Sequence, residues 1–319
     1  MPEKKFGRTL VIRGGALGDF LLTLPVLHAL RGVSGHLEML GYPGFVELAR
    51  EGNAIHAGRS IEYGPMAGFF ARGAVQDPAL REYFGSFDVV LSYLYDPDGI
   101  FAGNLQAAGA RRIVQGPHKP EGSAHAIDEL AAPLQELGVA CVEKGIRLSL
   151  PAAAARQPVI ALHPGSGSRT KNWIAANWHE LAGKILTAYP HVQLAIIGGE
   201  ADQAELESLA DLRRNDRVEF WENLPLPALA RNLGAVGGYL GHDTGISHLA
   251  AVLGVPSLLL FGPTDPAVWA PPHGFVQVLR APGNDLSQLE TSTVFAAAGK
   301  HLAPRLLASV CRNTQNPAP

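Results

Sequence analysis

The 319-residue sequence predicts an α/β protein made of two doubly wound, Rossmann-like halves, each with a parallel sheet, and two observations carry that prediction. Short β-branched runs alternate with longer helical patterns, which implies right-handed βαβ units. The alternation stops at Leu150–Pro158 (LPAAAARQP), an Ala-rich stretch framed by prolines with no apolar period, and then restarts. About 150 residues per half is an ordinary domain size.

In the first half, Thr9–Arg13 (TLVIR) reads as a buried strand and Leu21–Leu30 as an apolar helix. Leu37–Leu40, Asp88–Ser92 and Arg112–Gln115 read as further strands. In the second half, the expected strands are Val159–His163, Gln193–Gly198, Arg217–Phe220, Val236–Leu240, Ser257–Phe261 and Phe275–Leu279. Helices are expected at Trp178–Ala188, Ala201–Leu212, Pro227–Leu233 and Gly245–Leu253. The expected domains are 1–153 and 154–285, with a tail helix over about 286–312 packing back on the first domain and a frayed end at Asn313–Pro319. Ligands of open α/β sheets bind beyond the carboxyl ends of the strands, so two such halves facing a central cleft would bind there.

Composition narrows the function classes. The net charge of −3 gives no general pull toward nucleic acid. Cys141 and Cys311 form no CxxC pair, so neither a disulfide scaffold nor a zinc site is expected. The apolar run Leu10–Ile12 is too short for a signal segment. The longest apolar passage, Val252–Phe261, is broken by Gly254 and Pro256 and is too short to span a bilayer. The expectation is a cytoplasmic protein, compatible with peripheral contact at the inner face of the plasma membrane.

The first strand runs into Arg13-Gly14-Gly15-Ala16-Leu17-Gly18-Asp19. A glycine turn between strand and helix lets backbone approach a ligand. The dinucleotide fingerprint requires Gly where Arg13 stands, so it is broken, although Glu38 could still serve a nicotinamide ribose. Asp19 is either a helix cap or a general base at a cleft edge.

The second half carries three polar loops after strands. His163-Pro164-Gly165-Ser166-Gly167-Ser168, followed by Lys171, suits a phosphate cradle or is a solvated loop. Gly241-His242-Asp243-Thr244-Gly245-Ile246-Ser247-His248 opens a helix whose first-turn amides can bind a diphosphate, with Asp243 left to accept sugar hydroxyls. His248, one turn in, reads by itself as a satisfied partner of a backbone group. Gly262-Pro263-Thr264-Asp265 reads as a turn bordering the same cleft.

These segments resemble glycosyltransferase family 9, which includes the ADP-heptose:lipopolysaccharide heptosyltransferases. The matching stretches are LVIRGGALGDFLLTLPVLHALR, IALHPGSGSRTKNW and YLGHDTGISHLAAVLGVPSLLLFGPTDP, in the family's order. The resemblance implies a GT-B fold and an inverting, metal-independent transfer without a cofactor, from a sugar nucleotide (an ADP-sugar by family) to a lipid-linked or lipopolysaccharide glycan. It places the catalytic residues at Asp19 and Lys171. Donor contacts would come from Ser166, Ser168, Lys171, Asn223, Leu224, Asp243, Thr244, Gly245 and His248. Acceptor contacts would come from Gly18 and from Arg13, Arg59 and Arg72, which with Arg81 make a scattered basic set without a dense cluster. A monomer is expected. The rival readings are a GT-B sugar-nucleotide epimerase, a non-catalytic sugar-nucleotide-binding protein and, last, a nicotinamide enzyme.

Overall fold

The computed structural model describes residues 4–73, 77–140, 143–150 and 156–302, so Cys141, Cys311 and the expected frayed end lie outside the described residues. The chain divides into two compact units between Leu148 and Ser149, just ahead of the Ala-rich stretch expected to link the domains.

The first unit holds a five-stranded sheet in the order β3-β2-β1-β4-β5. Its strands are β1 (Phe6–Arg13), β2 (Ser34–Gly41), β3 (Ala57–Ser60), β4 (Val89–Ser92) and β5 (Ile113–Gln115). The described pairings are all parallel. Helices α1 (Leu17–Val33), α2 (Pro43–Glu51), α3 (Pro78–Gly85), α4 (Ile100–Ala107), α5 (Ala126–Ala131) and α6 (Pro133–Glu136) connect and cover it. Leu10, Ile12 and Val90 of the central strands bury against Phe69, Phe84, Phe87 and Phe101. At β3 the sequence AGRS has no apolar run, and the strand forms because Glu38–Gly41 of β2 offer it a parallel edge.

The second unit holds six strands in the order β11-β10-β9-β6-β7-β8. They are β6 (Gln157–His163), β7 (Gln193–Gly198), β8 (Val218–Glu222), β9 (Val236–His242), β10 (Ser257–Phe261) and β11 (Val276–Arg280). Counted within the unit, this is the Rossmann order, with its reversal between β6 and β9. The helices are α7 (Ala175–Ala188), α8 (Gln203–Ser208), α9 (Leu226–Gly234), α10 (Gly245–Val252), α11 (Pro266–Trp269) and α12 (Thr291–His301). The single helix expected over Ala201–Leu212 is three short pieces, with only Gln203–Ser208 α-helical. The tail helix expected over 286–312 is described only to Leu302. Val294, Ala298 and Leu302 lie in the second unit's own core, so this portion belongs there rather than to the first unit.

Candidate active site

In the first unit, the reversal of strand order falls between β1 and β4, and the turn after β1 carries Asp19 at its edge. Gly15 takes a left-handed φ of 87°, which explains the glycine there: an added Cβ would sit 2.8 Å from Asp19 Oδ2. Asp19 is the third residue of α1, and its Oδ2 accepts from the Ala16 amide at 3.0 Å. The helix-cap reading therefore holds geometrically, yet the side chain keeps 26% of its surface exposed.

Arg13 stands differently from expectation. It is 1% exposed, and its guanidinium is committed inside the unit rather than offered to an acceptor. Nη2 lies 3.6 Å from Asp19 Oδ1, Nε donates to the Asp19 carbonyl at 3.3 Å, and Nη1 donates to the His118 carbonyl at 2.9 Å. The group also lies over the Tyr93 ring at 5.3 Å. Burial lowers its pKa from the ordinary arginine value, opposed by the Asp19 charge. Arg13 thus ties the loop after β5 to Asp19. That loop brings His118, whose ring packs against the exposed Tyr95 after β4 at 4.8 Å, and sequence reasoning had assigned neither residue a role.

The other acceptor candidates are not gathered at Asp19. Gly18 is in the first turn of α1. Arg59 is on edge strand β3, two strands from β1, with its guanidinium 4.1 Å from the Tyr83 ring centre at a cavity of about 300 Å³. Arg72 is exposed in the turn after Phe70. Glu38, the residue that kept a nicotinamide reading alive, is buried inside β2 and engaged by Arg8, His36 and Tyr83 at 2.6, 3.0 and 3.1 Å. A ribose has no free carboxylate to bind there.

In the second unit, the ends of β6 and β9 frame the crevice, with His163 in register with Gly241. Thr244 caps α10, its Oγ1 accepting from the Ser247 amide at 3.3 Å. The first-turn amides at Gly245 and Ile246 have no intrahelical acceptor, and the helix dipole favours an anion beside them. Lys171 Nζ lies 3.1 Å from Asp243 Oδ2, so the two residues expected to face the donor are joined. His248 is buried, and its amide closes the first turn on the Thr244 carbonyl at 3.2 Å.

The loop after β6 is largely self-satisfied. Ser166 Oγ lies within hydrogen-bond reach of two acceptors in the loop, the Ser168 carbonyl at 2.7 Å and Asn172 Oδ1, for its one hydrogen, while Ser168 Oγ meets Thr170 Oγ1 at 3.0 Å. These serines shape the loop, and Gly167, at φ 67°, turns it. Asn223 lies just past β8, also left-handed at φ 50°, with its amide bonded to the Gly198 carbonyl at 3.0 Å; Leu224 is half-buried beside it. They stand at the same sheet end as Thr244, two strands out from β6.

Three buried residues that sequence reasoning missed hold this end together. His242 accepts from the Trp173 amide through Nε2 at 2.8 Å and donates from Nδ1 to the Gly165 carbonyl at 3.2 Å. Burial holds its pKa down at about 3, so it is a neutral structural imidazole. His163 Nε2 lies 3.3 Å from Asp202 Oδ2, and its Nδ1 lies 3.4 Å from Thr244 Oγ1. Burial alone would raise Asp202. Hydrogen bonds from His163 and from the Gly199 and Gly167 amides outweigh it and hold the carboxyl below its usual range. Each had a faint signal, being a polar residue at or just beyond the end of an apolar strand. Among the described residues, no group of three or more His, Cys, Asp or Glu side chains is placed to hold a metal ion, and no helix is long and apolar enough to cross a membrane.

Two Rossmann-like units, the second with a threonine-capped helix entrance and a lysine–aspartate pair at its strand-order reversal, define a protein of the GT-B glycosyltransferase class. The chain belongs to glycosyltransferase family 9 (heptosyltransferase), whose family model matches residues 123–296. It is 33% identical over 124 residues to lipopolysaccharide heptosyltransferase 1 from Escherichia coli, a match covering 39% of this chain and 37% of that relative's length. Its fold is similar to the crystal structure of a family 9 glycosyltransferase from Veillonella parvula, with a TM-score of 0.75 at 17% identity over 93% of this chain and 97% of that one. It is likewise similar to Escherichia coli heptosyltransferase WaaC with ADP, with a TM-score of 0.68 at 21% identity over 92% and 99%.

Proposed function

We propose that the protein is an inverting, metal-independent glycosyltransferase that moves a heptose from ADP-heptose to a lipopolysaccharide inner-core or related glycan acceptor. The observation that carries this reading is the Lys171–Asp243 pair at the capped entrance of α10, inside the segment matched by the family. The relatives' names, lipopolysaccharide heptosyltransferase 1 and a heptosyltransferase with ADP, support the choice of sugar and nucleotide.

The diphosphate binds at the Thr244 hydroxyl and the first-turn amides of α10, with Lys171 as its point charge. Asp243 accepts from sugar hydroxyls. The nucleoside lies outward toward Asn223 and Leu224, about 10 Å from β6 at ordinary strand spacing. An acceptor hydroxyl at Asp19 attacks the anomeric carbon. The new C–O bond forms as the bond to the diphosphate oxygen breaks, Asp19 takes the hydroxyl proton, and the nucleoside diphosphate leaves with the electron pair. The transition state is oxocarbenium-like, and Lys171 with the helix amides stabilises the charge growing on the leaving group. The exposed Tyr42, Tyr63, Phe70 and Tyr95, all beyond the carboxyl ends of first-unit strands, favour an amphiphilic acceptor met at the inner membrane face.

Incubation with ADP-heptose and a deep-truncated lipid A acceptor tests the reading. Heptose transfer with inverted anomeric configuration supports it. Epimerised sugar nucleotide without transfer, or binding without turnover, rejects it.

A further inference from the structure

The loops that flank the strand-order reversal of the first unit follow β1 and β4, and they lie against each other: a Cβ added at Gly14 would meet the Leu94 side chain at 3.3 Å. In an open α/β sheet a ligand sits in the crevice at such a reversal. The first loop ends at Asp19. The second carries Tyr95, which is 71% exposed.

An exposed tyrosine on a loose loop would be ordinary, but the backbone on both sides of Tyr95 is tied down. Gln115 Nε2 donates to the Leu94 carbonyl at 2.7 Å. The Asp96 carboxylate accepts from the Phe101 and Ala102 amides of α4 at 3.1 and 2.9 Å. The Tyr95 ring meets the His118 imidazole at 4.8 Å, with 57° between the planes. The His118 carbonyl takes Arg13 Nη1 at 2.9 Å, and Arg13 Nη2 lies 3.6 Å from Asp19 Oδ1. The ring and the carboxylate thus share one set of supports. A contact surface fixed in advance costs little ordering when a ligand arrives.

The open ring face has a negative quadrupole, which attracts polarised C–H groups. A sugar ring offers such C–H groups on its face and hydroxyls around its rim, so it can stack on Tyr95 and still present a hydroxyl to a neighbouring carboxylate. An acyl chain would fill the aromatic surface but bring nothing to Asp19.

We infer that Tyr95 is the platform on which the acceptor's sugar ring stacks, with its attacking hydroxyl directed to Asp19. Tyr95 selects for the sugar of the acceptor rather than for its acyl chains. His118 is a positioning residue, acting through the Tyr95 ring. The inference rests on the acceptor reading above and names the contact that makes it specific.

Initial rates with ADP-heptose, using the deep-truncated lipid A acceptor and its fully deacylated saccharide in parallel, test it. Tyr95→Ala should raise the acceptor KM about tenfold with both acceptors, for the loss of one stacking surface. The donor KM and the melting temperature should stay as in the wild type. Tyr95→Phe keeps the ring face and should remain within about twofold of the wild type. His118→Ala should raise the acceptor KM in the wild-type background and add nothing to it in the Tyr95→Ala background, as expected of two residues acting through one contact. An unchanged acceptor KM in Tyr95→Ala, or an equal loss in Tyr95→Phe, overturns the platform. So does a Tyr95→Ala effect seen with the acylated acceptor alone. A wild type that glycosylates the acylated acceptor but is neither served nor inhibited by the deacylated saccharide also overturns it. Absence of transfer to either acceptor by the wild type rejects the transferase reading itself.

Discussion

Lys171 Nζ and Asp243 Oδ2 are 3.1 Å apart, and the two exposures are unequal: the aspartate side chain is 9% exposed and the lysine 31%. The carboxylate is the fixed member, set at the end of β9, and the lysine is the member able to shift toward a ligand. Lys171→Ala should therefore act on the donor in two ways. It removes a charge from the diphosphate and leaves Asp243 as an uncompensated negative group beside it. A hydrogen bond to a charged group contributes about 1.5–3 kcal/mol, so donor affinity should fall about 10- to 100-fold, with a further loss in turnover. Calorimetry with ADP-heptose and initial rates measure both. Unchanged binding and rate would make Lys171 a surface charge.

Asp19 holds two roles that one substitution can separate. Asp19→Asn keeps an oxygen to accept from the Ala16 amide, so the start of α1 should survive. It removes the base, and turnover should fall about 10²- to 10⁴-fold while ADP-heptose binding in the second unit is unchanged. Both substitutions leave the buried Arg13 without its counter-charge, but Asp19→Ala also loses the acceptor for the Ala16 amide and should unfold at lower denaturant than Asp19→Asn. Full activity in Asp19→Asn would exclude the base role.

The parts of the site that were legible in the sequence are those made by local chemistry. A glycine turn before Asp19, and an Asp-Thr-Gly opening an apolar helix, carry their geometry within a few residues. What was not legible depends on which strands become neighbours. Arg13 looked like a free acceptor arginine because nothing in the sequence says that the loop after β5 closes over it at His118. His163, Asp202 and Thr244 lie far apart in the chain and meet only because β6 sits between β7 and β9. Strand β3 was missed because its residues, Ala57–Ser60, have no apolar pattern and their pairing comes from β2.

Gly165 is required by a close approach rather than by its backbone angle. An added Cβ would meet Asp202 Oδ1 at 1.8 Å, far inside contact distance. Gly165→Ala must push Asp202 away from His163, or the loop away from β6. Overpacking of this kind costs about 1–3 kcal/mol. A lower melting temperature is the expected outcome. An unchanged melting temperature in Gly165→Ala would show that Asp202 does not pack against this turn.

His242 sets a pH dependence of stability with a definite sign. Its folded pKa of about 3 lies below the ordinary histidine value of about 6.5, because burial disfavours the imidazolium. Between those values the unfolded chain binds a proton that the folded chain does not. The stability from this group is therefore complete above about pH 6.5 and is lost progressively as pH falls toward 3, at up to about 1.4 kcal/mol per pH unit. Asp202, with a depressed folded pKa, acts in the same direction but only within and below the carboxylate range. The interval from about pH 6.5 to 4.5 therefore isolates the histidine from it. His242→Gln keeps an acceptor for the Trp173 amide and a donor for the Gly165 carbonyl without titrating. It should flatten the fall of the urea midpoint across that interval relative to the wild type. Parallel slopes in the two proteins would mean that His242 becomes protonated in the folded state.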